Sequence, residues 1–298
     1  MRDVATLQRI ARELRMDIVE MIYRAASGHP GGSLSIVELI TTLYFDEMRQ
    51  SPEKRDDPGR DRFVLSKGHT APALYAALCK AGYFGREELW CLRQMGAMLQ
   101  GHPDKKGTPG VDASTGSLGL GISAACGMAK AAKIYREDYR VYTILGDGEM
   151  EEGSVWEALM FAAHYGLDNL CVIIDANGLQ IDGPVRKVMN VEPLDKKLQA
   201  FGFETICIDG HDFPSIFSAF TLSPSSLQSR CAFSTAALSS FPDPYTITPS
   251  ASASSHATLS YLTADRKPNR LRHRVQPRNQ RSRNHRRQRR VLPLRRQH

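Results

Sequence analysis

The stretch RVYTILGDGEMEEGSVWEALMFAAHYGLDNLCVIIDANGLQIDG, residues 140–183, reads as strand, acidic turn, helix, strand and a second polar turn. Four carboxylates, Asp147, Glu149, Glu151 and Glu152, crowd the first turn. Acids in a first helical turn have a plain structural use, because they cap free N–H groups and complement the helix dipole. The second strand adds a reason of another kind, since it too ends in polar groups, Asn177 among them. Two neighbouring parallel strands bring such ends to one site. Mg²⁺ needs only a few oxygen ligands and commonly bridges to phosphates, so Asp147, the Asn177 amide oxygen and one main-chain carbonyl would suffice to dock a diphosphate. On this reading Asp147 is the candidate metal ligand, and Glu149 and Glu151 are solvated or capping acids.

Outward from this unit the alternation continues. A helix is expected from about Val4 to Ala26, with Leu7, Ile10, Leu14, Ile18 and Met21 at three- and four-residue steps, and a second from about Ser35 to Met48. Then follow the strand RFVLS, the helix APALYAALCKAG, a polar loop to about Thr115 and an Ala/Gly-rich helix from about Leu118 to Tyr135. Beyond the central unit come a helix near PLDKKLQAF and a fourth strand, FETICID. Strands alternating with helices predict an α/β fold, a parallel sheet with helices on both faces, with ligands at the carboxyl ends of the strands.

The composition changes within the chain. All 23 glycines fall at or before Gly210. Residues 221–298 hold 15 of the 39 Lys and Arg but two of the 32 acids, so the net charge of +7 describes the end of the chain while residues 1–220 are net acidic. Two domains are therefore expected: an α/β domain over 1–220 and, over 221–298, a Ser/Pro-rich then Arg-rich tail, disordered because it has little with which to form a core. The tail reads either as a segment that binds nucleic acid or acidic surfaces by counterion release, or as the product of a reading-frame slip near residue 220. It lacks aromatic interleaving, so a nucleic-acid partner is not expected. No run of about 18 apolar residues is present, and a soluble, cytoplasmic protein without membrane contact is expected. The six cysteines are far apart with no C-x-x-C pair, and are expected to be small buried hydrophobes.

Gly-flanked polar loops follow each strand. His29, His69 and His102 each directly follow a glycine, and their spacing does not suit a zinc set on one helix; they read as groups that handle protons or hydroxyls. TGSLGLG, residues 115–121, offers either close helix packing or backbone N–H groups for a phosphate.

Taken in order, GHPGGSLS, SKGH, GHPD, TGSLGLG and GDG followed by N-x-L resemble the transketolases, specifically the N-terminal, diphosphate-binding half of these thiamine-diphosphate enzymes, over about residues 5–220. The resemblance implies thiamine diphosphate and Mg²⁺ (or Ca²⁺) as cofactors. It implies Asp147, Asn177 and the main-chain carbonyl of Leu179 as metal ligands, and His69, Gly116, Ser117, Leu118, Gly146, Asp147, Gly148 and Asn177 as cofactor contacts. Glu152 takes a supporting role there. His29 and His102, with His69, would face the donor sugar and the reacting carbon as catalytic residues. The implied reaction moves a two-carbon ketol unit from a ketose phosphate to an aldose phosphate. A required glutamate lies on a pyrimidine-binding domain that this chain does not supply. The chain is therefore similar to the N-terminal subunit of a split transketolase, whose partner in a heterotetramer would be a C-terminal subunit and whose substrates would be sugar phosphates. Deoxyxylulose-phosphate or dihydroxyacetone synthases are the neighbouring alternatives, and a non-catalytic module with an arginine tail the distant one. With the tail in place of the family's continuation, the sheet is expected to lack a strand and bare a parallel edge.

Overall fold

A computed structural model describes residues 3–181, 183–221, 231–234 and 257–262. These residues lie within one unit, Met1–Ala264. What the sequence leads one to expect of residues 222–230, 235–256 and 263–298, the arginine-rich stretch included, lies outside the described residues.

Helix α1 spans Val4–Ala25. It starts where the Asp3 carboxylate accepts the Thr6 N–H at 3.2 Å and stops where Ala26 turns left-handed, and it buries Leu7, Ile10, Leu14, Ile18 and Met21 as their spacing predicts. The second expected helix is corrected. It is broken into α2 (Pro30–Leu34), α3 (Val37–Thr42) and a π turn over Leu43–Glu47. At the first break the Ser35 hydroxyl bonds to the Gly32 carbonyl and to Asp175, and Ile36 leaves helical geometry at ψ 10°. A tertiary contact thus interrupts a segment whose local pattern is helical.

Strand β1 (Arg62–Leu65) leads through the SKGH loop into α4 (Ala71–Lys80). Then α5 (Gly121–Tyr135), β2 (Val141–Gly146), α6 (Gly153–His164) and β3 (Leu170–Asp175) repeat the crossover pattern. A short hairpin, β4 (Leu179–Gln180) with β5 (Gly183–Pro184), precedes α7 (Val185–Val188), α8 (Leu194–Ala200), β6 (Phe203–Ile208) and α9 (Phe213–Thr221). Two further strands, β7 (Cys231–Ser234) and β8 (Ala257–Leu262), complete a sheet of order β1-β2-β3-β7-β6-β8. All its neighbours are parallel except β8, which runs antiparallel to both β6 and β7. This corrects the expectation of a missing strand. Segment 231–234, which reads as tail, fills the slot between β3 and β6 by backbone pairing.

Side chains alternate across the sheet. Phe63, Leu65, Tyr142, Ile144, Cys171 and Ile173 face one core with α1, α3, α4 and α9, whereas Val64, Val141, Leu145, Val172 and Ile174 face the other with α5, α6 and α8. Both faces are covered, and for that reason β2 and β3 are buried along their whole length. The cysteines are less uniform than expected. Cys126 and Cys171 are buried, Cys79 and Cys91 are half-buried and Cys207 is exposed. Among the described residues no helix is long and apolar enough to cross a membrane.

Candidate functional site

The β2–β3 register ends on the pair Gly146↔Asp175, which sets the turn after β2 beside the turn after β3. The Asp147 N–H donates to the Asp175 carbonyl at 3.1 Å. Here the carboxyl ends of β1, β2 and β3 open onto a cavity of about 530 Å³ whose wall includes His29, Lys67, His69, Asp147, Asn177 and Leu179. Gly116, Leu118, Gly146 and Gly148 line it as well.

Asp147 is only 4% exposed. Its carboxylate accepts the Gly178 N–H at 2.6 Å and the Gly148 N–H at 2.9 Å. Gly178 has φ +74°, a conformation that glycine adopts without strain, and this turns its N–H onto Asp147. Burial, followed by the charge of Asp175, pushes the Asp147 carboxyl up to about 7, and the two N–H groups pull it down only in part. The Asn177 amide donates to Asp175 Oδ2 at 3.1 Å, and its oxygen accepts the Leu179 N–H at 2.9 Å.

Glu149 is a correction. It is not a solvated acid but 2% exposed. Its Oε1 accepts the Ser66 hydroxyl at 2.5 Å and the Gly119 N–H at 3.0 Å, and its Oε2 accepts the Gly146 N–H at 3.2 Å. It thereby ties the acidic turn to the loops after β1 and before α5. Burial raises its carboxyl despite those bonds. Glu151 does stay at the surface, where it accepts from the Gln180 amide at 2.7 Å.

The histidines converge. The His29 and His69 rings meet edge to face with centroids 5.1 Å apart. Burial pushes His69 down to about 3, and Lys67, His29 and His102 add to the effect, so this ring is a neutral imidazole at physiological pH. His29 is lowered by burial, then by Arg93 and His102; His102 by burial, then by Arg93. His102 is not on the cavity wall but packs behind Gly116, where a Cβ would lie 3.4 Å from its Cγ. Ser117 and Glu152 are exposed and off the wall. Sequence reasoning missed Lys67, Asp175 and Ser35, which meet beneath the cavity: Lys67 and Asp175 form a salt bridge at 2.5 Å, 1% and 0% exposed. The available signal was a lysine and an aspartate at the ends of two apolar strands, where a charge must find a partner if it is to be buried.

The donor set fits a hard cation and an anionic cofactor. Asp147 is a buried carboxylate held near neutral pH by surplus negative charge, and Asp175 Oδ1 is a buried acceptor with no donor among the described residues. No three His, Cys, Asp or Glu side chains are grouped as metal ligands among the described residues, so an ion here would take one carboxylate with amide and main-chain oxygens, as Mg²⁺ or Ca²⁺ does. Glycine keeps the approach open. A Cβ on Gly32 would come within 2.8 Å of Thr70 Cγ2 and 3.6 Å of Lys67 Nζ.

Residues 6–233 match the family described as "Transketolase, thiamine diphosphate binding domain". The chain belongs to the transketolase family. The match passes residue 220, the domain end expected from composition, and reaches β7. One of the two subunits of the apulose-4-phosphate transketolase of Phocaeicola vulgatus is 43% identical over 217 residues, covering 73% of this chain and 77% of that protein. The 6-deoxy-6-sulfo-D-fructose transketolase subunit SqwG of a Clostridium species is 48% identical over 213 residues, 72% and 78% of the respective chains. The crystal structure of transketolase from Campylobacter jejuni superposes with a TM-score of 0.74 at 33% identity, over 78% of this chain and 38% of that one. The chain thus spans about three quarters of the two subunits and well under half of that solved transketolase.

Proposed function

We propose that the chain is the diphosphate-binding subunit of a transketolase, dependent on thiamine diphosphate and Mg²⁺ (or Ca²⁺) and active with a separate C-terminal subunit. One observation carries this reading: Asp147, Asn177, Leu179, His29 and His69 share one cavity at the strand ends, in a chain of a thiamine-diphosphate-binding family. Asp147, the Asn177 amide oxygen and the Leu179 carbonyl hold the cation. Gly116, Leu118, Gly146 and Gly148 let the diphosphate approach the backbone, with Ser117 at the rim and Glu152 in a supporting role. When bound, thiamine diphosphate supplies the nucleophilic carbon that cleaves a ketose beside its carbonyl and carries the two-carbon unit. The residues of this chain orient and exclude water. His69, neutral, donates or accepts a single hydrogen bond, while His29 and His102 face the sugar hydroxyls and handle protons there.

The pyrimidine-binding side of the site comes from the partner, in a heterotetramer. Two relatives are named for a phosphorylated and a sulfonated ketose, and this supports an anionic ketose as donor and an aldose phosphate as acceptor. A cytoplasmic setting accords with these substrates. The test is reconstitution with the C-terminal subunit in Mg²⁺ and thiamine diphosphate, followed by a panel of ketose donors and aldose acceptors. Ketol transfer between sugar phosphates is expected; condensation of pyruvate in its place would move the chain to the deoxyxylulose-phosphate synthases.

A further inference from the structure

Beneath the cavity, one carboxylate oxygen gathers three donors from three separate parts of the chain. Asp175 Oδ2 accepts from the Ser35 hydroxyl at the end of α2, from Lys67 Nζ at 2.5 Å after β1 and from Asn177 Nδ2 at 3.1 Å after β3. Asp175 and Lys67 are shut away from water. A buried ion pair is poor evidence of stabilisation, because desolvation offsets most of the attraction and an apolar pair of similar volume is often as stable. The clasp therefore calls for a reason other than stability, and Asn177 supplies one. An amide has a donor end and an acceptor end of nearly the same shape, and only its partners decide which way it lies. Here a carboxylate holds the NH₂ end, and the Leu179 N–H, 2.9 Å away, faces the oxygen. Reversing the amide would set donor against donor and acceptor against acceptor. The amide oxygen keeps a second lone pair for a cation.

We propose that Asp175, braced by Lys67 and Ser35, is a positioning residue that locks the Asn177 amide in its metal-ligating orientation. This rests on the proposed role of Asn177 as a ligand. Asp175 touches neither ion nor substrate; it acts through Asn177, and couples the loops after α2 and β1 to the metal turn.

The experiment measures Mn²⁺ binding to the full chain by electron paramagnetic resonance in the presence of thiamine diphosphate, with thermal unfolding recorded on the same samples. Asp175→Leu alone strands the Lys67 ammonium and is expected to lower the melting temperature sharply. The double variant Asp175→Leu with Lys67→Met removes both charges and is expected to regain stability. Its Mn²⁺ affinity stays at least about tenfold below wild type, the usual loss when the partner of a ligand is removed. Asp175→Asn, which can still present an oxygen to Asn177, binds Mn²⁺ close to wild type. If the stabilised double variant binds Mn²⁺ as wild type does, the clasp is structural only and the proposal is overturned. Should the double variant not fold, Asp175→Asn decides: binding near wild type supports the proposal, and a loss as complete as that of Asp147→Ala shows that charge rather than the amide lock serves the ion. A wild-type chain that holds no Mn²⁺ with thiamine diphosphate fails the functional reading itself, and with it the clasp.

Discussion

Glu149 shows how a single residue can join several loops. Its carboxylate receives one hydroxyl and two backbone N–H donors from three segments, so Glu149→Ala leaves buried donors unpaired and should destabilise the protein by about 3 kcal/mol or more, measured by urea denaturation. A solvated acid would give a change within about 0.5 kcal/mol. His211 offers a pH-dependent counterpart away from the cavity. Its Nδ1 lies 2.8 Å from Glu38, whose other partner is Arg15, and the bond to Glu38 raises the His211 pKa against the effect of burial. A raised histidine stabilises the fold fully below its unfolded value of 6.5, and the contribution disappears as pH climbs through the folded value. The stability difference between wild type and His211→Gln should thus be about 1 kcal/mol in mild acid and shrink toward alkaline pH; a difference that grows with pH would contradict the pairing. Asp147 and Asn177 were legible because strand ends in a parallel sheet are where ligands bind. Lys67 and Asp175 were not, because a bond between residues 108 apart leaves no local mark.

Among the elements, α5 depends on one glycine. A Cβ at Gly121 would lie 2.5 Å from the Cα of Ser66, so the helix start is pressed against backbone that cannot move aside. Gly121→Ala should cost about 1–3 kcal/mol and weaken cofactor binding, because Ser66 also holds Glu149 and the Ile122 N–H. Gly127→Ala, where a Cβ meets nothing within 4 Å, is the control and should be neutral or stabilising. Strands β1 to β3 were readable since a strand buried on both faces is an apolar run, as in VYTIL and LCVII. The break before α3 was not readable, since Ser35 is drawn out of helix by Asp175, which lies 140 residues away. Nor was β7, set in Ser/Ala-rich sequence, where pairing with β3 and β6 rather than propensity makes the strand.

For the molecule as a whole, β7 closes the gap between β3 and β6. A chain ending at residue 221 would bare both strand edges, and it should self-associate on size exclusion and lose cooperative unfolding; a monomeric, cooperatively folded fragment would show that β7 is dispensable. The functional claim also belongs to this scale, because the cavity is assembled from the ends of three strands and the loops before α2 and α5. Titration calorimetry of the full chain with thiamine diphosphate, with Mg²⁺ and with the ion removed by chelator, tests it most directly. Binding that requires Mg²⁺ and is lost in Asp147→Ala, while that variant remains folded, is the predicted result. Equal affinity with and without the ion, or undiminished binding by Asp147→Ala, would contradict it.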